Sequence, residues 1–187
     1  MCHETKQARY DAITEEILAE KEVREVIMRL ARGTDRRDRE LIRSCYHPDA
    51  VDDHGAFKGN RDQFADWVVE TLGGMGGAMK PQKTVHFLGQ IRIEVEGDVA
   101  YTETYCQAHH YWEGGHELPK DWPHGLTDFI MYLRYVDRFE KRDGGRWLIA
   151  NRLCVWDFVY MVPASHKWDL GDSFTWGRTD RQDQSYR

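Results

Sequence analysis

Apolar positions in the first 75 residues repeat at the spacing of α-helices. They predict a long helix from Ile13 to Gly33, a short second helix over residues 35–46, and a third helix capped by Asn60. Prolines and glycines between the second and third helices predict a turn and a short strand or hairpin there. The positions expected to face inward are Ile13, Ile17, Val23, Val26, Ile27, Leu30, Leu41, Ile42, Cys45, Phe64, Trp67, Val68 and Leu72.

From residue 83 onwards the apolar pattern has a period of two, which is typical of β-strands. Residues 83–112 predict a long hairpin that turns at Glu96-Gly97-Asp98. Residues 126–162 predict a second hairpin that turns between Arg142 and Gly145. Residues 129–136 are apolar on both faces of their strand. One face is therefore expected to meet the helices and a pocket, and the other a second subunit.

The order of these elements predicts one α+β domain over residues 13–162. Three N-terminal helices are expected to pack on one face of a strongly curved antiparallel sheet. Residues 1–12 are expected to be a flexible arm. Residues 163–187 have little periodicity, and we expect an irregular arm that wraps over the domain or over a neighbouring subunit.

Composition and charge narrow the class of protein. A chain of 187 residues can bury the core of one domain, and its net charge of −6 gives no reason to expect nucleic-acid binding. No apolar run is long enough for a membrane span, and the first residues lack a signal-peptide pattern, so a cytoplasmic protein is expected. The four cysteines form no CxxC pair, which favours reduced thiols over a metal site.

Histidines of the first hairpin are the first candidates for chemistry. A turn near Gly97 places His86 opposite His109 or His110, so two histidines are expected to share one patch of sheet. His86 lies on the more polar phase of its strand. It would reach a pocket more easily if Gly89 marked a bulge that changes the phase. Either histidine could instead be a structural residue of the sheet.

Two further candidates lie elsewhere in the chain. Arg152 interrupts an apolar face, and a buried guanidinium needs a carboxylate partner or an anionic ligand, although an Arg at a sheet edge is the alternative. His54 shares its strand phase with Asp52, and it could enter a pocket or belong to a polar turn. The apolar face proposed around Arg152 consists of Leu148, Ala150, Cys154, Trp156 and Phe158.

Asp35 follows the predicted end of the first helix. From its position alone it is a candidate cap for the second helix, with neighbouring arginines as surface partners. Asp38 is expected to be a surface residue in the first turn of that helix. The chain is also rich in aromatic residues, which can fill a core or line a pocket for a flat apolar ligand.

The chain resembles the SnoaL-like branch of the nuclear transport factor 2-like fold over residues 15–160. The resemblance is carried, in order, by GTDRRD, CYHPDAVDDHGAFKG, VHFLGQIRIEVEGDVAY and RDGGRWLIANR. Scytalone dehydratase, hexachlorocyclohexane dehydrochlorinase and bile-acid 7α-dehydratase are the members that look most similar. The resemblance implies a curved sheet and helices that enclose a conical pocket, in a homo-oligomer that is a trimer or a dimer.

The resemblance also implies roles for particular residues. In these lyases an Asp at the helix end holds a His that removes a substrate proton, and the matching residues are Asp35 and His86. Arg152 matches the arginine of the dehydrochlorinase and is expected to be catalytic together with Asp35 and His86. His109 matches the second histidine of scytalone dehydratase, and His54 matches the pocket tyrosine of the dehydratases. The residues expected to bind substrate are His54, His109, Tyr46, Tyr105 and Trp156.

The implied function is a lyase without a cofactor or metal. It would eliminate water, halide or a one-carbon unit from an aromatic or steroid-like molecule. Leu30 and Thr34 replace polar side chains of the relatives, which leaves the substrate open. The alternatives are a ketosteroid-type isomerase, a ligand-binding protein, or a non-catalytic subunit like the small subunit of ring-hydroxylating dioxygenases. A metal site would have to use histidines whose spacing matches no strong ligand pattern: His109, His110, His116 and His124.

Overall fold

The computed structural model describes residues 2–73, 83–113, 126–164 and 173–186. Within these ranges the helices come first in the chain and the long strands follow, as the sequence predicts. The helices are α1 (Cys2–Asp35), α2 (Arg39–Arg43) and α3 (Arg61–Gly73). The strands are β1 (Tyr46–Asp53), β2 (Lys58–Asn60), β3 (Lys83–Glu96), β4 (Val99–Glu113), β5 (Leu126–Lys141) and β6 (Trp147–Ala164).

The described strands form one six-stranded sheet in the order β2-β1-β6-β5-β4-β3. The two predicted hairpins are present as β3–β4 and β5–β6, and β4 pairs antiparallel with β5. The α+β class, with helices followed by a curved sheet, is confirmed. One pairing departs from the expected antiparallel arrangement, because β1 pairs parallel to β6. The sheet is therefore mixed.

The first helix is longer than its apolar pattern predicts. It begins at Cys2, so the residues expected to form a flexible N-terminal arm continue the helix. Ile13 and Ile17, which were expected to face inward, are 42% and 60% exposed. The apolar pattern cannot detect this stretch, because a helix that touches no core has no buried face to generate it. Where the domain begins stays a prediction.

The hydrophobic core lies between the helices and the inner face of the sheet. Its centre is the C-terminal half of α1, where Val23, Val26, Ile27 and Leu30 are almost fully buried. A second cluster covers the inner face of the central strands and includes Cys106, Ala108, Met131, Leu133, Tyr135 and Cys154. None of the described helices is both long and apolar enough to cross a membrane.

A β-bulge in β3 decides which face His86 occupies. The pairing with β4 shifts by one residue between Leu88 and Ile91, so the extra residue lies at Gly89-Gln90. Before the bulge His86 and Leu88 are partly buried, whereas after it Ile91 and the residues that alternate with it are. The bulge expected at Gly89 is present, and it gives His86 and the apolar residues of the second half the same inner face.

Two bulges in β6 correct the apolar face predicted around Arg152. The pairing with β5 shifts at Ala150 and again at Asp157. Arg152 keeps Cys154 and Trp156 on its face, but Ala150 falls out of phase. Phe158 pairs with Tyr132 on the outer face of the sheet instead. Each bulge inserts one residue and reverses the faces beyond it, which a strict period of two does not reveal.

Asp38 caps α2 and anchors the C-terminal arm. Its Oδ1 accepts a hydrogen bond of 3.1 Å from the backbone N–H of Leu41, and its Oδ2 accepts one of 2.8 Å from the hydroxyl of Tyr186. Asp38 is 5% exposed, so the expectation of a surface residue is wrong. Asp183 of the arm pairs with Arg36 at 3.3 Å. The described part of the arm thus packs on the junction of α1 and α2.

Replacing Asp38 with Ala should lower the free energy of unfolding by about 1–2 kcal/mol, because α2 loses its cap and Tyr186 loses its acceptor. Urea unfolding followed by circular dichroism measures this. Asp38→Ser is the matched control, since a serine hydroxyl can still cap the helix and should recover a large part of the loss. Equal stabilities for Asp38→Ala and the wild type would contradict the assigned cap.

Candidate active site

A cavity lies between α1, α3 and the inner face of the sheet. Leu30 and Thr34, which replace polar side chains of the relatives, line the cavity. The polar side chains of His54, His86, His110 and Arg152 also line it. The rest of the wall is largely apolar and aromatic. It includes Ile27, Phe64, Trp67, Val68, Leu72, Leu88, Met131, Leu133, Tyr135 and Trp156.

The Asp35 carboxylate holds His86 through two contacts. The Nδ1 of the imidazole lies 2.7 Å from Oδ1 of Asp35, and the backbone N–H of His86 donates to Oδ2 at 3.1 Å. The side chains are only 9% and 14% exposed. Because Nδ1–H donates to the carboxylate, Nε2 is the nitrogen that can accept a proton from a molecule in the cavity. The predicted pair of Asp35 and His86 is therefore formed across α1 and β3.

His110, rather than His109, shares the cavity with His86. Residue pairs of β3 and β4 place His86 opposite Ala108, and His110 is its diagonal neighbour, with ring centroids 5.9 Å apart. Burial, and then the nearby His86 and His109, lower the pKa of His110 to about 3. His110 is thus a neutral ring at physiological pH, which can donate one hydrogen bond and accept another but adds no positive charge.

His109 and Tyr105 lie on the outer face of the sheet, so the structure does not bring them to the cavity. Side chains of a strand alternate between faces, and Cys106, Ala108 and His110 occupy the inner face of β4. The two ring nitrogens of His109 contact Asp128 at 2.7 Å and Gln107 at 2.9 Å. Tyr105 is 45% exposed. The substrate-binding roles expected for both residues do not fit these positions.

Arg152 is buried with a carboxylate partner, as its environment in the sequence requires. Its Nε and Nη2 donate to the two oxygens of Asp137 at 2.7 and 2.6 Å. The guanidinium also lies over the ring of Tyr135, 4.1 Å from the centroid. Burial opposes the charge of Arg152, but Asp137, together with Tyr46 and Asp52, more than offsets burial and raises the pKa of Arg152 well above its ordinary value. The cavity wall therefore holds a permanent, neutralised ion pair.

His54 belongs to a second pair of histidine and carboxylate. Its Nδ1 contacts Oδ1 of Asp52, and its ring stacks on Phe64 with centroids 4.9 Å apart. The other oxygen of Asp52 accepts a hydrogen bond of 2.6 Å from the hydroxyl of Tyr46. Tyr46 is 1% exposed and lies behind His54, not at the cavity surface, which corrects its expected contact with substrate. His54 and Trp156 do line the cavity.

Asp137, Asp52 and His110 belong to the site although the sequence pattern alone does not assign them to it. Asp137 is the direct cross-strand partner of Arg152, so the register of the second hairpin could have identified it. The sequence shows only that Asp52 shares its strand phase with His54. His110 could not be separated from His109, because a shift of one residue in the turn exchanges their faces.

Cysteine and metal chemistry have little support in the described ranges. Burial raises the pKa of Cys45 to about 11, and the pKa values of Cys106 and Cys154 to about 12, so these thiols are protonated near neutral pH. No group of three or more potential metal ligands occurs among the described residues. His116 and His124, named above for a metal site, lie outside them.

A curved sheet covered by helices around an apolar cavity defines the nuclear transport factor 2-like class of α+β proteins. The chain belongs to the SnoaL-like family, since the family model described as a SnoaL-like domain matches residues 15–153. No curated protein shows a significant match to the sequence.

Solved structures with the same fold include two hexachlorocyclohexane dehydrochlorinases. LinA type 2 superposes with a TM-score of 0.66 at 16% identity, over 85% of this chain and 99% of its own. LinA type 3 from Novosphingobium barchaimii has a TM-score of 0.65 at 14% identity, over 83% and 98%. A candidate scytalone dehydratase from Novosphingobium aromaticivorans has a TM-score of 0.58 at 20% identity, over 81% and 90%. At these identities the likeness shows a shared fold.

The low pKa of His110 should make the protein sensitive to acid. In the unfolded chain this histidine protonates near pH 6.5, whereas in the folded chain it stays neutral to about pH 3. The unfolded state therefore binds the extra proton between these values, and stability that is complete above pH 6.5 is lost as the pH falls. His110→Gln should reduce the loss between pH 7 and pH 4.5 by about 2–3 kcal/mol.

Urea unfolding at pH 7, 5.5 and 4.5 measures this difference. His109→Gln is the matched control, because it makes the same substitution on the outer face of the same strand. If His110→Gln loses as much stability in acid as the wild type, or if His109→Gln gives the same protection, the assignment to the buried ring is wrong.

Proposed function

We propose that this chain is a lyase that needs no cofactor and uses His86 as its catalytic base. The observation that carries the proposal is the Asp35–His86 pair at the wall of an apolar cavity. Nε2 of His86 removes a proton from a carbon of the substrate. The electron pair of that C–H bond forms the new double bond, and the leaving group departs from the adjacent carbon.

Asp35 contributes orientation and charge. Its contact with Nδ1 presents Nε2 as the acceptor, and its negative charge stabilises the imidazolium that forms. Its second oxygen accepts a hydrogen bond from the backbone N–H of His86, which holds this part of β3 against the end of α1. The imidazolium then returns its proton to the departing group. Acid–base catalysis of this kind typically accelerates a reaction by about 10²–10⁴-fold.

The cavity walls favour a flat, apolar substrate of aromatic or steroid-like type. Phe64, Trp67 and Trp156 supply aromatic surfaces, and a largely apolar wall with a few polar groups is typical of small-molecule sites. Arg152 contributes guanidinium hydrogen-bond donors rather than an unpaired charge, because Asp137 neutralises it. Water and halide are the candidate leaving groups of this step. Retro-aldol loss of a one-carbon unit is the alternative, in which His86 removes a hydroxyl proton, a C=O bond forms and a C–C bond breaks. A ligand-binding protein would need this cavity, but it has no need for the Asp35–His86 pair.

His86→Ala should reduce turnover of a productive substrate by at least about 10²-fold, and Asp35→Asn by about 10–10³-fold, since the first removes the base and the second its anchor. Aromatic and steroid-like alcohols, hydroxyketones and halides are screened for elimination by absorbance and mass spectrometry. His109→Ala, on the outer face, should retain activity within about twofold of the wild type. Equal turnover by His86→Ala and the wild type would exclude the proposed base.

We also propose that the outer face of the sheet binds a second copy of the chain. Phe87 is 69% exposed, Phe158 56% and Tyr160 42%. Tyr132 and Phe158 stack with centroids 4.4 Å apart, which extends the same aromatic surface onto β5. A patch of this kind on a protein surface usually marks an interface. The family resemblance favours a trimer, and cytoplasmic location and the lack of nucleic-acid binding likewise remain predictions.

Phe158→Asp should dissociate the oligomer, because it places an unpaired charge within the apolar interface. Light scattering coupled to size-exclusion chromatography measures the mass. Glu96→Lys, which changes an exposed charge at the end of β3, is the control and should leave the mass unchanged. A monomeric wild type, or an unchanged mass for Phe158→Asp, would exclude this face as the interface.

A further inference from the structure

The C-terminal arm, described over residues 173–186, contacts both of the elements that carry the Asp35–His86 pair. Asp35 is the last residue of α1, and the arm packs on the junction between α1 and α2. On the side of the strand, Nζ of Lys83 donates a hydrogen bond to the backbone oxygen of Gly177. Lys83 begins β3 and lies three residues before His86. The arm therefore joins the end of the helix to the start of the strand.

Tyr186 holds the chain on both sides of Asp35. The guanidinium carbon of Arg32 lies 4.5 Å from the centroid of the Tyr186 ring. Nη2 of the same arginine donates a hydrogen bond of 2.7 Å to the backbone oxygen of Ser185. The hydroxyl of Tyr186 donates one of 2.8 Å to Asp38. The end of the arm thus contacts the chain three residues before Asp35 and three residues after it.

Asp183 gives the arm its local shape and ties it to the residue next to Asp35. Its Oδ1 accepts hydrogen bonds from the backbone N–H and the hydroxyl of Ser185, at 3.0 and 2.6 Å. Its Oδ2 accepts one of 2.8 Å from the backbone N–H of Arg178. Asp183 is only 6% exposed, and it also pairs with Nε of Arg36 at 3.3 Å. One carboxylate therefore orders the arm and fixes it to the junction.

The junction has a backbone conformation that gains from such support. The backbone N–H of Arg37 donates to the oxygen of Thr34 at 3.1 Å, and that of Asp38 to the oxygen of Gly33 at 2.9 Å. This pattern ends a helix with a left-handed residue, which is usually glycine. Here the residue is Arg37, with φ of 52°, and a side chain is disfavoured in that conformation. Contacts on either side of the junction therefore help to hold the position of Asp35.

His86 lies on an edge strand, so the described sheet holds it from one side only. β3 is the last strand of that sheet, and His86 pairs with Ala108 of β4. On the other side Asp35 contacts the ring Nδ1 at 2.7 Å and accepts from the backbone N–H at 3.1 Å. Both distances depend on where α1 ends. A displacement of the junction therefore weakens both contacts at once.

We propose that the C-terminal arm positions Asp35 against His86, with Asp183 and Tyr186 as positioning residues. Neither of the two lines the cavity, and each acts through the junction of α1 and α2. The catalytic consequence rests on the proposed lyase function. A displaced carboxylate no longer fixes the tautomer and orientation of the imidazole, which slows proton removal. The cavity wall that binds substrate is unchanged, so kcat falls while KM stays the same.

Hydrogen exchange of the His86 backbone N–H, followed by NMR on isotope-labelled protein, reports its contact with Asp35 without any substrate. Tyr186→Ala removes the ring from Arg32 and the donor from Asp38, so it should accelerate this exchange on the order of 10-fold. Asp183→Asn should act in the same direction, because it removes the charge that pairs with Arg36. It serves as the test if Tyr186→Ala fails to fold.

Gln184→Ala is the matched control, because this exposed side chain lies between the two contact residues Asp183 and Ser185. It should leave the exchange of the His86 N–H unchanged. Wild-type exchange in both Tyr186→Ala and Asp183→Asn would overturn the inference. So would an equal acceleration at the N–H of Leu133 in the central strand β5, since that result indicates a general loss of stability.

Turnover separates this inference from the proposed function. With a productive substrate, Tyr186→Ala should lower kcat about 10-fold and keep KM within about twofold of the wild type, as expected for a group that orients the base. A higher KM with an unchanged kcat would contradict the positioning role. If His86→Ala turns over substrate as fast as the wild type, the lyase function fails. Faster exchange of the His86 N–H in Tyr186→Ala would still support the contact between the arm and the Asp35–His86 pair.

Discussion

The contact between Asp35 and His86 is the interaction on which the rest of the site depends. It joins the last residue of α1 to the third strand of the sheet and fixes the ring and the backbone of His86 together. Asp35 is available for this role because Asp38, three residues later, caps the next helix. Two acidic residues in one short junction therefore have different tasks, one in helix stability and one at the cavity.

The buried charges beside the cavity, on Arg152, Asp137 and Asp52, show how a largely apolar site accommodates charged groups. Arg152 and Asp137 neutralise each other, and Asp52 is held by Tyr46 and His54. Such groups contribute little net stability compared with apolar packing, since each loses its hydration on burial. Their value lies in fixed dipoles and donors, which act strongly where water is excluded.

The sequence predicted the order of the elements and both hairpins, but not every face of every strand. Turn residues such as Gly97 locate a hairpin by local chemistry alone. Bulges at Gly89, Ala150 and Asp157 each reverse the alternation beyond them, and only the first was anticipated. The parallel pairing of β1 with β6 also escaped prediction, because a short strand carries no local mark of its partner.

By itself, the sequence determined the helices that meet the core, the two long hairpins, and the family with its Asp35–His86 pair. Local spacing and turn chemistry suffice for the helices and hairpins, whereas the pair of Asp35 and His86 follows only from the family resemblance. Only the tertiary structure decided that His110 enters the cavity while His109 leaves it, that Asp137 neutralises Arg152, and that Tyr46 lies behind His54. Those outcomes depend on register and on contacts between distant elements, where a displacement of one residue exchanges the buried face for the exposed one.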